Sequence, residues 1–350
     1  MTGSPMHRPS YDGPQPTDDA PQTPDYGAQP CSGPPAGALA WAAELLGHGA
    51  PFGEPADSGK PRTPDGSGEP EGPPAPAIRT VRALDGGSHA STHLLETASP
   101  VRRAVLRRFP PGDDAAAREA SVLAALDGLD GFAPRLLGAD PRGERCGAPA
   151  VLISRLDGEA DISPADPDAA AAALGRALAR LHAVPGSRLH GFRDGMAATR
   201  RGTGPAAAAL GEREAARLAG QPRVLTHFDY WSGNVLWHGG ALTGVVDWSG
   251  ASLAPRGFDV GWCRLDLALL HGPDTTAAGA FSAAYRDAYG AQPPDAALWD
   301  LHALARSHRT VETWVPNYAG LGRSDLTARE LRRRHTAWTE RCLDAAVRQR

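Results

Sequence analysis

The segment from Val224 to Trp248 constrains the fold of this 350-residue chain more than any other. Within it, two short apolar runs, Val235 to Trp237 and Leu242 to Val246, flank a turn that contains a histidine and two glycines. Apolar strands around a glycine-rich turn predict a β-hairpin. Asn234 stands immediately before the first strand and Asp247 immediately after the second, so the hairpin would bring their side chains together.

The polar residues of this segment match the needs of phosphoryl transfer. That reaction requires a carboxylate to orient the attacking hydroxyl and accept its proton, and oxygen ligands for magnesium. Asp229, Asn234 and Asp247 supply both, and His227 precedes Asp229 by two residues. Because the chain has only two asparagines, chance would produce this His-x-Asp-x4-Asn spacing far less than once. The alternative is that these residues only cap turns or end a strand.

With this spacing the segment resembles the catalytic loop of the aminoglycoside phosphotransferase and choline kinase-like family of small-molecule kinases, H-G-D-x-x-x-x-N followed by a metal-binding aspartate after a hairpin. The resemblance implies a catalytic group of Asp229, Asn234 and His227, in which Asp229 is the base and His227 braces the loop. It also implies that Asn234 and Asp247 bind Mg²⁺. Phe228 replaces the family's glycine, which points to a reshaped loop or acceptor mouth.

Two further residues, Asp259 and His182, match an acid and a histidine of that family. Asp259, in P-R-G-F-D-V-G-W, corresponds to a buried acid that anchors the loop, and we expect it to accept backbone hydrogen bonds rather than to touch substrate. His182 ends the motif L-A-R-L-H, and we expect a packed or capping histidine there.

The ATP side departs from the kinase pattern, because the only lysine of the chain is Lys60. The motif A-V-L-R stands where V-A-I-K is usual, so Arg107 is the candidate for binding the phosphates and Glu119 its helix partner. Arginine binds phosphate through two parallel hydrogen bonds. The alternative is that Arg107 is a surface residue beside Arg108.

Two more stretches are candidates for ATP binding. A turn that could cover the phosphates consists of Gly86, Gly87 and Ser88, although such a turn is also typical of an ordinary hairpin. Ser154 to Leu156 ends the small lobe, where we expect the backbone to meet the adenine edge.

The pattern along the chain predicts an α+β, bilobal, protein-kinase-like fold. Residues 1–76 indicate a disordered Pro/Gly-rich acidic arm, 77–156 a small antiparallel N-lobe with one helix, and 157–350 a mainly helical C-lobe. The N-lobe strands are predicted at Ile78 to Leu84, His93 to Thr97, Val101 to Phe109, Pro134 to Leu137 and Ala150 to Arg155. The predicted helices are Ala115 to Leu126, Pro167 to His182, Thr275 to Tyr289, Ala296 to Trp314 and Leu326 to Val347.

One apolar patch interrupts the arm, from Ala38 to Leu46. On a helix its shared face would consist of Leu39, Ala42, Ala43 and Leu46. This pattern indicates either a short docking helix or a transient one. The arm could also recruit a protein partner through Trp41 and Leu45.

Composition excludes several classes of function. A net charge of −4 and a pI near 6.3 provide no basic field for nucleic acid. Four widely spaced cysteines indicate neither a zinc site nor a disulfide framework, and no apolar run is long enough for a membrane span. Together with the missing signal peptide, this favours a cytoplasmic location.

The sequence therefore predicts an ATP- and Mg²⁺-dependent phosphotransferase that acts on a hydroxyl of a small molecule. From Leu301 onward basic residues outnumber acidic ones, which argues against a strongly acidic acceptor pocket, although Asp266, Asp274 and Glu312 remain available. The alternative is a weak or inactive pseudokinase that binds nucleotide in a regulatory role, because the usual lysine is missing.

Overall fold

A computed structural model describes residues 33–47, 76–84, 90–198 and 202–348 of the chain. In the N-lobe, five strands form one sheet in the order β1-β2-β3-β5-β4, and every neighbouring pair is antiparallel. The strands are β1 Ile78–Ala83, β2 Ser91–Thr97, β3 Arg103–Arg108, β4 Leu136–Asp140 and β5 Ala150–Ser154. This confirms the predicted antiparallel N-lobe, with strand ends shifted by a few residues.

Alternation along the strands gives the N-lobe sheet two apolar faces. On β3, Ala104 and Leu106 point to one side, while Val105 and Arg107 share the opposite side with the predicted helix, α2 Ala115–Leu126. Because Arg107 has the parity of Val105, the sheet directs its guanidinium towards α2 instead of towards solvent.

The other face of the sheet is covered by helix α1, Ala36–Gly47. The docking helix suggested by the sequence is therefore present, and the predicted disordered arm is wrong for residues 33–47. The remaining arm residues, 1–32 and 48–75, lie outside the described residues.

The buried face of α1 is rotated from the predicted one. Trp41 is only 4% exposed and Leu46 2%, whereas Leu39 and Ala43 are half-buried. Trp41 and Leu45 lie against Gly138 of β4, where an added Cβ would clash with Leu45. These two side chains, considered above for a protein partner, thus contact the chain's own sheet.

The C-lobe carries the remaining elements. Its helices are α3 Pro167–His182, α4 Gly204–Ala219, α5 Gly257–His271, α6 Ala277–Tyr289, α7 Ala296–Ser307, α8 Val315–Gly320 and α9 Ala328–Arg348. Its short strands are β6 Glu159–Ala160, β7 Arg223–Thr226, β8 Val235–His238, β9 Ala241–Val245 and β10 Ser252–Pro255. The mainly helical C-lobe and the α+β class are confirmed.

Helix α3 begins as the sequence indicates, because the Asp166 side chain accepts the backbone N–H groups of Asp168 and Ala169 at 3.1 and 3.0 Å. The predicted helix from Ala296 to Trp314 is wrong in its second half. Helix α7 stops at Ser307 and a separate 3-10 turn, Val311–Trp314, follows.

Two apolar cores hold the C-lobe, and one of them continues into the N-lobe. That core joins α2 and β5 to α3, α6 and the β8-β9 hairpin, so the two lobes share one continuous packed core. The second core gathers α4, α5, α7 and α9. Across the described ranges, no helix combines the length and the apolar character that crossing a membrane would require.

Candidate active site

The predicted hairpin is present and closes the site. Strands β8 and β9 are antiparallel, and both turn glycines have positive φ, as a tight two-residue turn requires. The backbone N–H of Val246 donates to the carbonyl of Asn234 at 2.9 Å, which places Asp247 beside Asn234. The Asn234 amide in turn donates to the carbonyl oxygen of Asp229 at 2.9 Å and to its Oδ2 at 3.2 Å.

A fully buried carboxylate fixes the loop that carries Asp229. Asp259 accepts the backbone N–H of His227 at 2.7 Å and that of Phe228 at 2.9 Å. His182 lies between Asp259, at 3.3 Å, and the Tyr285 hydroxyl, at 2.8 Å. Burial lowers the pKa of His182, so the imidazole packs there in its neutral form. The contacts of both residues are those expected from the sequence.

His227 joins the catalytic loop to the hairpin. Its Nε2 lies 2.9 Å from the carbonyl oxygen of Val246, next to Asp247, and must donate in that bond. The imidazole also packs on Trp248, with ring centroids 4.9 Å apart. These contacts suit a residue that braces the loop.

Phe228 has a backbone conformation that side chains rarely adopt, with φ of 71°. This explains why the related motif has glycine at the position. The Phe228 ring stacks on Phe258 at 3.9 Å between centroids, and the Arg306 guanidinium lies over both rings and over Trp262. Phe228 thus adds an aromatic cluster beside Asp229.

Asp229 is an exposed residue between the catalytic loop and α5. The indole N–H of Trp262 donates to its Oδ1 at 3.3 Å. Desolvation of the carboxylate by the surrounding protein raises the pKa of Asp229, and the negative charge of Asp247 raises it further. A carboxylate with a raised pKa is a stronger base than a free aspartate, which suits proton acceptance from a hydroxyl.

Arg107 connects the N-lobe to the hairpin. One nitrogen of its guanidinium pairs with Glu119 on α2, and the other lies 2.8 Å from Oδ1 of Asp247. Since Arg107 is 5% exposed and Glu119 is fully buried, the alternative of a surface arginine is wrong.

Burial and the neighbouring charges shift the pKa values of Arg107, Glu119 and Asp247 in different directions. Burial disfavours the charged guanidinium, but Glu119 and Asp247 outweigh it and raise the pKa of Arg107. Burial raises the pKa of Glu119 to about 7, with Arg107 opposing the rise. Burial alone would also raise the pKa of Asp247, yet Arg107 holds it below its usual value.

Of the other residues predicted to bind the nucleotide, the structure describes Ser154 and Leu156. The Ser154 Oγ accepts the backbone N–H of Arg135 at 2.8 Å, so this side chain is used within the sheet. Leu156 follows in the connection between the lobes and lies against Gly244 of β9. Outside the described residues lie Gly86, Gly87 and Ser88.

The oxygen atoms near the hairpin fit a magnesium ion that is also held by phosphates. Ser249 Oγ and Arg107 both donate to Oδ1 of Asp247, which leaves Oδ2 without a donor among the described residues. Because the Asn234 nitrogen faces Asp229, its Oδ1 is the atom available for a metal. The described ranges contain no cluster of three His, Cys, Asp or Glu side chains for a metal. Two protein oxygens are a normal set for Mg²⁺ bound with nucleotide.

Comparison with known proteins agrees with this geometry. The model of the phosphotransferase enzyme family, APH, matches residues 80–299, which is more than half of the chain. The chain belongs to this family. No curated protein sequence matches it.

Solved structures share the fold of this phosphotransferase family member. A candidate aminoglycoside phosphotransferase from Ralstonia eutropha aligns with a TM-score of 0.56 at 18% identity, over 78% of this chain and 94% of the other. The choline kinase LicA from Streptococcus pneumoniae aligns with a TM-score of 0.52 at 15% identity, over 75% of this chain and 94% of the other. At these identities the likeness shows the protein-kinase-like fold alone.

A small pocket of about 70 Å³ opens next to Asp229 in this family member. Its lining comes from the catalytic loop, α5, α8 and the 3-10 turn before α8, namely Asp229, Trp231, Trp262, Leu265, Asp266, Trp314, Asn317 and Tyr318. Trp231 meets Tyr318 edge to face at 5.7 Å, and Trp262 meets Trp314 at 5.3 Å. The pocket is therefore largely aromatic.

Asp266 supplies a second carboxylate to this pocket. Its Oδ2 accepts the backbone N–H and the hydroxyl of Ser232, and its Oδ1 accepts the Tyr318 hydroxyl at 3.1 Å. Burial raises the pKa of Asp266 to about 6, although these hydrogen bonds lower it in part. At neutral pH it adds negative charge near Asp229.

Sequence reasoning identified the loop but missed several residues around it. Ser249 and Trp262 contact the two aspartates, and the signal for them was their position within the motif segments. Trp314 gave no such signal, because it lies on a different element far along the chain.

Proposed function

We propose that this protein is an ATP- and Mg²⁺-dependent phosphotransferase that phosphorylates a hydroxyl group of a small molecule. The observation that carries the proposal is the position of Asp229. Its carboxylate lines the aromatic pocket and is hydrogen-bonded to Asn234, which stands beside Asp247. A hydroxyl in the pocket would thus lie between a base and the phosphate-binding side of the cleft.

Each residue has a distinct task in this reaction. Asp229 orients the acceptor hydroxyl and accepts its proton as the phosphoryl group is transferred. Asn234 and Asp247 hold Mg²⁺, which supplies charge neutralisation at the phosphates. Arg107 binds the phosphates from the N-lobe side and is oriented by Glu119.

The lining of the pocket also limits the chemical class of the acceptor. Three indoles and a phenol surround it, and two carboxylates border it. Aromatic faces beside carboxylates attract a cation that carries apolar groups. We therefore propose a compact alcohol with one amine or alkylated ammonium group, ahead of a polycation that needs many carboxylates.

Turnover with matched variants tests this function. ATP consumption would be measured with amino alcohols, choline, macrolides and aminoglycosides, for the native chain, Asp229→Asn and Asp157→Asn. The Asp157 side chain is 79% exposed and serves as the control. We expect acceptor-stimulated turnover that Asp229→Asn lowers by at least about 100-fold and Asp157→Asn leaves unchanged.

The result also separates the enzyme from a pseudokinase. Magnesium-dependent ATP binding without turnover for any acceptor would favour a regulatory nucleotide-binding module. Equal turnover by Asp229→Asn and the native chain would exclude Asp229 as the base.

A further inference from the structure

The guanidinium of Arg107 occupies an oxygen of the residue that should bind metal. One of its nitrogens holds Glu119, and the other donates to Oδ1 of Asp247 at 2.8 Å. Ser249 donates to the same oxygen, also at 2.8 Å. Asp247 is thus paired with a positive charge supplied by the chain's own N-lobe.

This positive charge is fixed in place. Arg107 is 5% exposed, and its guanidinium also lies 5.4 Å from the ring centroid of Phe109. Arginine does not lose its proton in proteins, so pH offers no route to release Asp247. A divalent cation at Asp247 would therefore meet a like charge at close range.

The replacement of lysine by arginine makes the double contact possible. A guanidinium presents donors in a planar fork and can pair with two carboxylates at once, whereas an ammonium is a compact point charge. Here the fork spans from Glu119 on α2 to Asp247 after β9, which joins the two lobes.

We propose that Arg107 controls the order of ligand binding, so that a divalent cation enters the Asp247 site only together with nucleotide. The inference rests on the proposed function. Phosphate oxygens compete with Asp247 for one arm of the guanidinium, while the other arm remains on Glu119. The released carboxylate then accepts the metal, and the phosphates balance the charges of both cations.

Binding of Mn²⁺, followed by the loss of its free electron paramagnetic resonance signal, tests the proposal without any turnover. In the absence of nucleotide, we expect Arg107→Gln to bind one Mn²⁺ at least 10-fold more tightly than the native chain. The matched control is Arg103→Gln, because Arg103 lies on the same strand with its side chain 53% exposed. That control should behave as the native chain.

A second comparison does not depend on the folding of the Arg107 variant. Without nucleotide, Asp247→Ala should leave Mn²⁺ binding unchanged, because the adjacent Arg107 guanidinium repels the cation from the native site. With ADP present, the same substitution should weaken Mn²⁺ binding by at least 10-fold.

The outcomes separate this inference from the proposed function. Arg107 does not control the order of binding if the native chain binds Mn²⁺ alone as tightly as Arg107→Gln does. The same conclusion follows if Asp247→Ala weakens Mn²⁺ binding in the absence of nucleotide. If ADP does not bind with or without metal, the proposed function itself fails.

Discussion

The carboxylate of Asp259 lies 2.7 Å from the backbone nitrogen of His227, although 32 positions separate the two residues. The same side chain holds the next backbone nitrogen as well. Helix α5 thereby positions the loop that carries the proposed base, while no atom of Asp259 reaches the pocket. The acid acts on the site through the backbone of its neighbours.

Replacement of Asp259 by asparagine should therefore loosen the loop. The amide has one acceptor oxygen where the carboxylate has two, so one buried N–H loses its partner. We expect the free energy of unfolding to fall by about 3 kcal/mol, together with a loss of turnover. Urea unfolding measures the first quantity, with Asp157→Asn as control. An unchanged midpoint would mean that the loop is held by other contacts.

The strain at Phe228 can be measured with two variants. Phe228→Ala and Phe228→Gly both remove the stacking on Phe258, but only glycine adopts a φ of 71° without steric strain. We expect the glycine variant to be more stable than the alanine variant by about 1 kcal/mol, the reverse of their order in a helix. Thermal unfolding of the pair decides this, and a more stable alanine variant would contradict it.

Helix α1 should contribute to the stability of the N-lobe. Trp41 is buried against the sheet, so Trp41→Ala should lower the free energy of unfolding by about 3 kcal/mol. Ala40 on the exposed side of the same helix provides the control, and Ala40→Gln should change it by less than about 0.5 kcal/mol. Equal unfolding curves for the two variants would show that α1 is not part of the folded unit.

A buried histidine makes the C-lobe sensitive to acid. Burial first, and then the charges of Arg332 and His308, lower the pKa of His335 to about 4, while the unfolded chain has the ordinary value near 6.5. The unfolded state thus takes up a proton first, and stability falls as the pH drops from 6.5 towards 4. Between pH 7 and 4.5 this histidine should account for about 2 kcal/mol.

His335→Gln removes that titration. The Ser307 hydroxyl lies 2.9 Å from His335 Nε2, and the glutamine amide can reach the same partner. Urea unfolding at pH 7 and at pH 4.5 should therefore show a smaller loss for the variant than for the native chain. An equal loss of unfolding free energy for the variant and the native chain would contradict the role of His335.

The geometry of the candidate catalytic residues could be predicted because they lie within one short segment. A hairpin fixes where Asn234 and Asp247 meet, and residue spacing alone is enough to recognise a hairpin. Arg107 and Glu119 could be paired because their motifs resemble the strand and helix of the kinase pattern, and the two side chains are in contact. The contact from Arg107 to Asp247 could not, because it spans 140 positions and depends on how the lobes close.

The aromatic pocket and the buried face of α1 were harder to predict from the sequence, for physical reasons. Trp231, Trp262 and Trp314 come from three separate elements, and nothing in their spacing shows that they converge. In α1, alanines and leucines occur on all sides, so periodicity alone did not decide which face was buried. The large Trp41 decides it, because it gains the most from burial against the sheet.

The position of α1 in the chain also has a consequence for the limits of the folded unit. The helix precedes the family-matched region, and roughly thirty residues separate Gly47 from Ile78. Its Trp41 and Leu46 nevertheless share one core with Leu95 and Leu106 of the sheet. A chain cut at the start of the matched region would therefore leave that apolar face of the sheet uncovered.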